Sequence, residues 1–599
     1  MTGGGAAASA MRRRDVTVGG SRQVHYRRAG AGPALVLMHE SPLSSAALVD
    51  LASALSERFT VIALDTPGYG SSDPLPAPSE PETSDYAAAA ADTLGALGVE
   101  RCLVYGALTG ATIALELARS RPDLVAGAAL DFLPWFPPEQ RPWFLENYLP
   151  LFPTRSDGSH LVTLWARFRD QYAYLPWCDR RLEHRMDIDM PSTQELDQGV
   201  MDMLRAGDGY RVAYAAAFRY EPEPALADLA APAALVAPSA EIGHEQSELL
   251  SADPVSLTTA PLPGGAVAAD AIRGLADAVG DLPSGPSDVG AWERDGTRTT
   301  RSYVDTTSGQ LHACGRLGTD SRPLVMLHPS PGSSRMLDAL LGQLIESRPV
   351  VAFDTLGNGE SDKPPGWERP KTYGPAGPAA PIENTRLEAP WAEPSIADYA
   401  AVVAEAIERL GIDEFDLYGS HTGGAIAVET AIALGPDRAR SVIVDGLAMF
   451  TAEERDEHLE HYTPPLEPSW DGAHLVWAWS YLQAQLRYWP WYDQSQAGIR
   501  WTHEASSDEL HAWVIELLKS GHTYPLAYRA AFSYPMVERL PLLASRTLIG
   551  AVDDDPLAEC SEPGARLAPN ATAVVFPAGL SEKAALLASF LDDSRGESE

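Results

Sequence analysis

The chain of 599 residues contains the same series of motifs twice. "LVLMHESPLSS" at 35–45 returns as "LVMLHPSPGSS" at 324–334. Farther along, "HLVTLWARFRDQYAYLPW" at 160–177 returns as "HLVWAWSYLQAQLRYWPW" at 474–491. A chain of this size is too long for one hydrophobic core, so more than one domain is expected. The repeated motifs indicate that these domains arose by tandem duplication of one domain.

One insertion and one linker separate the two copies. Copy two has 24 extra residues within the stretch "KPPGWERPKTYGPAGPAAPIENTRLEAPWAEPS", whose Pro and Gly content predicts an irregular loop. A stretch rich in Gly, Pro, Ser and Asp, "GDLPSGPSDVG", lies between the copies and is typical of a linker. The predicted boundaries are a flexible tail at 1–14, domain 1 at 15–280, a linker at 281–295 and domain 2 at 296–595.

Short apolar runs alternate with helical patterns within each copy. In copy one these runs are Leu35–Met38, Val61–Leu64, Leu103–Tyr105, Ala128–Leu130 and Ala234–Ala237. Fully apolar strands between helices predict a mostly parallel sheet that is covered on both faces. Segments rich in Trp, Tyr and Arg, at about 132–222 and 446–536, predict an inserted helical cap in each domain. The predicted fold class is therefore α/β, with two tandem domains of this kind.

Charge and cysteine content exclude several classes of function. The chain has 82 acidic and 45 basic residues, a net charge of −37 that repels nucleic acids and anionic membranes. Its four cysteines form no CxxC pair, which argues against a zinc site or a disulfide framework. No apolar run is long enough for a membrane span, and no dinucleotide or phosphate loop is present. We expect a cytoplasmic protein without cofactor, metal, nucleic acid or membrane partner.

Three motifs occur in the same order in both copies: an H-x-x-P turn, a D-x-x-G-x-G-x-S-D turn, and a G-x-x-x-G turn that leads from a strand into a helix. With these motifs both copies resemble the α/β-hydrolase superfamily, specifically the haloalkane dehalogenase and epoxide hydrolase branch. In that family the third motif is the nucleophile elbow. The resemblance implies anion-stabilising groups at Ser41 and Thr109 in copy one, and an oxyanion hole at Ser330 and Thr422 in copy two.

The catalytic groups depart from the family pattern. The elbow residue is Leu108 in "GALTG" and His421 in "GSHTG", where the family has Ser, Cys or Asp. The position of the family's His base holds Ala266 and Leu580. We therefore predict that neither copy forms a standard nucleophile–His–acid triad. An imidazole at the elbow can still carry protons near neutral pH, so His421 is the candidate catalytic residue of copy two.

An acid could orient the His421 ring from two places. Asp445 follows the sixth strand, and three acids follow the seventh. Candidates with weaker support are Asp553, Asp554 and their neighbour Asp555, His328 of the H-x-x-P turn, and the cap aromatics Trp479, Tyr488 and Trp491. The aromatics are expected to pack first and to line a pocket second. The candidate pocket of domain 1 consists of Ser41, Leu108, Thr109, Arg169, Asp170 and Trp177.

Two functions remain open on the sequence. The first is an enzyme without a Ser-His-Asp triad, which acts on a small or medium organic substrate by oxyanion-hole and His acid/base chemistry. The reaction would be a hydrolysis or a lyase- or cyclase-type reaction, in domain 2. The alternative is a non-catalytic pseudo-hydrolase that binds a ligand or a partner protein. In either case we expect the two domains to pair with each other as the subunits of a homodimer do.

Overall fold

The computed structural model describes residues 11–76, 78–238, 255–260, 265–288, 292, 298–318, 321–364, 393–502 and 504–593. The chain divides into two compact units. One unit comprises Met1–Pro153 and Thr163–Val289, and the other comprises Thr154–Val162 and Gly290–Glu599.

The first unit contains an eight-stranded sheet. Its strands are β1 (Arg12–Val18), β2 (Arg22–Ala29), β3 (Ala34–Met38), β4 (Thr60–Leu64), β5 (Cys102–Ala107), β6 (Val125–Asp131), β7 (Ala233–Pro238) and β8 (Val255–Ala260). The order in the sheet is β1-β2-β4-β3-β5-β6-β7-β8. Strand β2 pairs antiparallel with β1 and β4, and the pairs from β4 to β8 are parallel.

The second unit repeats this topology. Its strands are β9 (Thr300–Thr306), β10 (Gly309–Arg316), β11 (Leu324–Leu327), β12 (Val350–Phe353), β13 (Phe415–Ser420), β14 (Ala439–Asp445), β15 (Arg546–Ala551) and β16 (Ala571–Val575). The order β9-β10-β12-β11-β13-β14-β15-β16 matches that of the first sheet strand for strand. The predicted α/β class with two mostly parallel sheets is confirmed.

Helices follow the strands in both copies. In copy one the α-helices are Val49–Leu55, Thr83–Ala96, Thr109–Ser120, Arg141–Asn147, Ser159–Asp170, Thr193–Ala206, Tyr210–Arg219, Pro222–Ala227 and Gly265–Val279. In copy two they are Asp338–Leu344, Ile396–Arg409, Thr422–Leu434, Ala452–His461, Ala473–Arg487, Ser507–Ser520, Tyr524–Ser533, Met536–Arg539, Ser561–Leu567 and Leu580–Asp593. The helices between β6 and β7, and those between β14 and β15, occupy the segments predicted as caps.

Several helices begin where the sequence supplies a reciprocal cap. The Ser395 hydroxyl accepts the N–H of Asp398, whose carboxylate accepts the N–H of Ser395 in return. Ser506 and Glu509 start the helix Ser507–Ser520 in the same way. Such pairs satisfy two amide groups that a helix start leaves without partners, so these starts are determined locally.

The sheet of the second unit is buried on both faces. Val325 and Leu327 of β11 pack into one apolar cluster, whereas Leu324 and Met326 of the same strand pack into another. Alternate side chains of a strand point to opposite faces, so this division places helices on both sides of the sheet. No α-helix in the described part of the chain is long and apolar enough to cross a membrane.

The first strand starts earlier than the predicted domain boundary. Strand β1 begins at Arg12, so residues 12–14 pair with β2 and do not belong to the predicted tail. The Pro- and Gly-rich insertion of copy two lies largely at 365–392, outside the described residues, as does most of the linker from residue 289 onward.

Candidate active site

The strand-to-helix elbow has the same strained backbone in both copies. Leu108 has φ 48° and ψ −111°, and His421 has φ 51° and ψ −111°. A positive φ is costly for a residue with a β-carbon and is found where the surrounding structure enforces it. A β-carbon at Gly419 would lie 2.2 Å from the carbonyl oxygen of Gly423, so the turn is too tight for any other residue there. The elbow geometry therefore persists without a family nucleophile.

The H-x-x-P turn lies beside this elbow and is held by its histidine. The Nδ1 atom of His328 lies 2.8 Å from the carbonyl oxygen of Pro329, and its Nε2 accepts the N–H of Thr355 at 3.0 Å. Burial lowers the pKa of His328, despite the opposing charge of Asp354. His328 therefore holds the turn as a buried neutral ring, and His39 makes the corresponding contacts in copy one.

The serines of the two turns differ in their partners. In copy one the Ser41 hydroxyl donates to the Tyr69 hydroxyl at 2.9 Å. In copy two the Ser330 hydroxyl oxygen is buried and has no hydrogen-bond partner among the described residues. Thr422 and Thr109 each begin the helix that follows the elbow, where a backbone N–H has no carbonyl acceptor within the helix. Ser330 and Thr422 thus remain candidate donors to a bound anion.

His421 forms a close pair with an acid of the loop after β15. Its Nε2 lies 3.0 Å from Oδ2 of Asp555, and the two side chains are 39% and 11% exposed. Its Nδ1 lies 3.0 Å from the Ser420 hydroxyl. Burial lowers the pKa of His421, but the hydrogen bond and charge of Asp555, with the charge of Asp445, outweigh burial and raise the pKa above its ordinary value. The contact with Asp555 therefore gives the imidazole a fixed orientation and a raised pKa.

Asp445, the other predicted partner of His421, is engaged elsewhere. Its carboxylate accepts the Tyr418 hydroxyl and, at 2.6 Å, the ammonium group of Lys583. Its backbone oxygen accepts the N–H of His421 at 2.8 Å. Asp445 therefore fixes the elbow through its backbone and contributes charge to His421 from a distance.

Other predicted residues lie outside this cluster. Asp553 and Asp554 are exposed, and Asp555 alone of the three acids contacts His421. Trp479 is a buried packing residue. The Trp491 indole donates to the carbonyl of Tyr462 at 2.8 Å, and Tyr488 ends the helix Ala473–Arg487. None of these contacts joins the three aromatics to His421.

In copy one the predicted charged pair exists but belongs to a wider group. Asp170 lies 3.7 Å from Arg169 and 2.5 Å from Arg180. The Trp177 indole donates to the carbonyl of Tyr148 at 3.0 Å. The guanidinium of Arg167 lies over this ring, 5.1 Å from the Trp177 ring centre. Arg167 is buried, and the sequence pattern did not single it out.

A surface cleft of about 560 Å³ lies elsewhere in the second unit. It is bordered by Glu429, Tyr534 and Arg539 and does not include His421. The Glu429 carboxylate already binds Tyr534 at 2.7 Å and Arg539 at 2.8 Å. Because this charge is satisfied within the protein, the cluster around His421 remains the better candidate for chemistry.

Comparison with known proteins agrees with the topology. The family profile of the alpha/beta hydrolase fold matches residues 33–177 and 322–486, which together make up more than half of the chain. The chain belongs to the α/β-hydrolase fold family. The two matched segments correspond to the two copies, so the tandem arrangement of hydrolase domains is confirmed.

Individual relatives of this α/β-hydrolase chain match only in part. A 2-(acetamidomethylene)succinate hydrolase of Mesorhizobium japonicum is 34% identical over 121 residues, which are 19% of this chain and 41% of the relative. Haloalkane dehalogenase 2 of Mycobacterium tuberculosis is 32% identical over 116 residues, which are 19% of this chain and 40% of the relative. The chain therefore spans less than half the length of these curated relatives.

Two solved structures each match less than half of this chain. The crystal structure of E-2-(acetamidomethylene)succinate hydrolase is 21% identical, with a TM-score of 0.34, and the match covers 45% of this chain and 100% of that chain. An epoxide hydrolase A from Mycobacterium thermoresistibile gives 18% identity and a TM-score of 0.35, covering 44% and 99%.

Two residues of the candidate site in copy two, Ser420 and Lys583, were not predicted from the sequence. Asp555 was predicted only as one of three acids that could orient the His421 ring. Lys583 lies one turn beyond Leu580, the position aligned with the family's His base, and its charge opposes the raised pKa of His421. The one signal in the sequence was the position of Ser420 directly before the elbow.

Gly446 offers a direct test of the His421 position. A β-carbon at Gly446 would lie 2.9 Å from Nε2 and Cε1 of His421, and its φ is +79°. Gly446→Ala should displace the ring from Asp555, and the left-handed backbone should add roughly 1–2 kcal/mol of destabilisation. NMR titration should then show the pKa of His421 returning toward its ordinary value.

Gly435→Ala is the matched control for that substitution. Gly435 has φ +78°, and a β-carbon added there would have no neighbouring atom within 4 Å, so alanine adds backbone strain alone. Chemical denaturation should show a loss of stability for both variants, larger for Gly446→Ala because of the added contact with the ring, and only Gly446→Ala should change the His421 titration. An unchanged His421 titration in Gly446→Ala would contradict the placement of the ring.

Glu40 gives copy one a separate pH dependence. Burial, followed by the charge of Asp131, raises the pKa of Glu40 from 4.5 to about 7. A carboxyl group with a raised folded-state pKa stabilises the fold below pH 4.5, and this contribution is lost as the pH rises through 7. Glu40→Gln should therefore stabilise the protein at about pH 8 by roughly 1–2 kcal/mol, with little effect at about pH 4.

Calorimetry across this pH range would measure the effect, with Glu57→Gln as control. Glu57 is exposed in the same copy, so its substitution removes the same charge without relieving burial. If both variants changed the stability at about pH 8 by the same amount, burial would not disfavour the ionised form of Glu40.

Proposed function

We propose that domain 2 is an enzyme that acts on a small or medium organic substrate, with His421 as the acid/base group. The observation that carries this proposal is the 3.0 Å contact between His421 Nε2 and Asp555 Oδ2 on a strained elbow. The Asp555 carboxylate orients the imidazole and raises its pKa, and an imidazole held in this way can accept and donate a proton, as acid/base catalysis requires.

The elbow also supplies groups that could stabilise a developing oxyanion. The Thr422 N–H stands at the start of a helix, where the helix dipole favours negative charge. The buried Ser330 hydroxyl, which has no partner within the described residues, lies in the neighbouring turn. Donors of this kind stabilise a carbonyl oxygen as it becomes an anion. They support chemistry at a carbonyl or a similar polar group.

Hydrolysis is the reaction we favour over a lyase- or cyclase-type reaction. One partial relative is named a hydrolase and another a haloalkane dehalogenase. The fold by itself supports many reactions, so these names guide the choice of substrates rather than decide it. We assign no catalytic role to domain 1, since Leu108 cannot transfer a proton.

Ligand binding without turnover is the second candidate function. It is favoured by one feature of the site, namely that both ring nitrogens of His421 already contact protein side chains. A site of this kind can be stable without any substrate. The two domains would then act as a binding protein for a small molecule or a partner.

An activity screen separates these functions. The whole chain would be incubated with activated esters, epoxides and haloalkanes, alongside His421→Ala and the matched variant Leu108→Ala, which changes the same elbow position in copy one. We expect turnover that His421→Ala reduces at least about 100-fold and Leu108→Ala leaves intact. Turnover that survives His421→Ala would contradict the proposal. No turnover on any substrate, with a ligand retained through purification, would favour binding.

A further inference from the structure

Both ring nitrogens of His421 are in contact with side chains of the same domain. Nε2 lies 3.0 Å from Asp555 Oδ2, and Nδ1 lies 3.0 Å from the Ser420 Oγ. A substrate that used His421 directly would have to displace one of these partners. With these partners in place, the group on which the His421 ring can act directly is the Ser420 hydroxyl.

The ionisation state of Asp555 determines which atoms of Asp555, His421 and Ser420 carry protons. Burial raises the pKa of Asp555, but the hydrogen bond and charge of His421 outweigh burial and lower the pKa below its ordinary value. An ionised carboxylate only accepts hydrogen bonds, so Nε2 carries a proton and donates it. In the neutral ring Nδ1 is then the acceptor, and the Ser420 hydroxyl donates to it.

We propose that Ser420 is the nucleophile of domain 2, activated by His421 and Asp555, and that the substrate is an ester or a related acyl compound. This inference rests on the proposed function of His421 as the acid/base group. The three residues have the roles of a Ser–His–Asp triad, in which a base accepts the serine proton and an acid orients the base. The nucleophile here is the last residue of β13 instead of the elbow residue, and the base occupies the elbow.

The duplicated copy supports this assignment. At the positions of Ser420 and His421, copy one has Ala107 and Leu108, on an elbow of the same backbone geometry. The fold of the turn therefore needs neither a hydroxyl nor an imidazole. Ser420 is 7% exposed and is the last residue of β13, and the side chain of the next residue, His421, is 39% exposed.

The proposed reaction needs no reactant other than the ester and water. Ser420 Oγ forms a bond to the carbonyl carbon of the ester while its proton moves to His421 Nδ1, and the carbonyl oxygen becomes an anion. The C–O bond to the leaving alcohol then breaks, and the alcohol takes the proton from His421. Water attacks the acyl-serine in the same manner, passing its proton to His421, and collapse releases the carboxylic acid as the proton returns to Ser420.

A fluorophosphonate probe tests this step without knowledge of the substrate. Attack by Ser420 would form an O–P bond and release fluoride, and mass spectrometry of the digested whole chain would locate the adduct. We expect one adduct on the peptide containing Ser420, none for Ser420→Ala, and a rate at least about 100-fold lower for His421→Gln. Ser347→Ala, which removes an exposed serine far along the chain, is the control and should be labelled like the wild type.

The outcomes separate this inference from the proposed function. Labelling of Ser420 that depends on His421 supports the inference, even if the screened substrates give no turnover. Absence of an adduct on Ser420, or labelling that is indifferent to His421, overturns it. If ester turnover requires His421 but survives in Ser420→Ala, the inference is wrong and the acid/base role of His421 stands.

Discussion

Changing Asp555 to Asn should lower the kcat/KM of domain 2 by about 10²- to 10⁴-fold for any substrate that the wild type turns over. Asn preserves the size of the side chain but removes the charge that orients His421 and favours its protonated form. The 3.0 Å contact would then permit the amide to present either its oxygen or its nitrogen to the ring. The imidazole would lose both its fixed orientation and its basicity.

The direction of the accompanying pH shift follows from the same contact. Asp555 raises the pKa of His421, so Asp555→Asn should lower it. Because catalysis as a base requires the neutral ring, the acidic limb of the kcat/KM profile should move to lower pH in the variant. NMR titration of the His421 ring gives the pKa without relying on turnover.

Asp554→Asn is the matched control for Asp555→Asn. It removes one negative charge from the adjacent, exposed residue, so it reports the effect of net charge alone. We expect its activity and the pKa of His421 to stay close to wild-type values. Equal losses of activity in both variants would show that Asp555 has no special relation to the imidazole.

Much of the fold could be predicted because it is encoded locally. The Gly419 and Gly423 spacing is required by a turn in which backbone atoms nearly touch, and the strands are short apolar runs. The same glycine spacing and the same series of short apolar strands occur in copy one. Each copy therefore supports the topology predicted for the other. The start of β1 was missed because Arg12–Arg14 have the composition of a solvated tail, whereas pairing with β2 places them in a sheet.

The partners of His421 could not be predicted in the same way. Asp553, Asp554 and Asp555 are equivalent in sequence, and the path of the loop after β15 alone decides which one reaches the ring. Lys583 reaches Asp445 from a helix that begins at Leu580, a contact between segments that are 138 residues apart in the sequence. Both contacts depend on tertiary geometry at atomic precision, which residue patterns do not contain.

Helical phase explains the missed arginine of copy one. Arg169 and Asp170 stood out because copy two lacks both charges. Arg167 lies two residues earlier on the helix Ser159–Asp170, with its guanidinium 5.5 Å from the Tyr148 ring centre and 5.1 Å from that of Trp177. A charged residue next to an apolar stripe is typical of a solvated position, and the two facing aromatic rings come from other parts of the cap.

The sheet of domain 2 contains a buried ion pair that copy one lacks. The side chains of Asp416 and Arg348 have no exposed surface, and Arg348 Nη1 lies 3.8 Å from Asp416 Oδ2. Arg322 Nε lies 2.9 Å from the same oxygen, and Arg348 Nη2 lies 2.6 Å from Asp592. At the positions of Arg348 and Asp416, copy one has Phe59 and Leu103, both fully buried. The same fold thus accommodates either a charged or an apolar pair of side chains at these two positions.

Replacing one member of this pair should be far more harmful than replacing both. Arg348→Phe or Asp416→Leu alone leaves a buried charge short of a partner, which should lower the free energy of unfolding of domain 2 by roughly 3–5 kcal/mol. The double variant recreates the apolar pair of copy one, so its loss should be smaller than the sum of the single losses by at least about 1–2 kcal/mol. Urea denaturation of the wild type, both single variants and the double variant completes the cycle. If the losses were additive, the Arg348–Asp416 contact would contribute nothing of its own. The contacts with Arg322 and Asp592 would then stabilise the two buried charges.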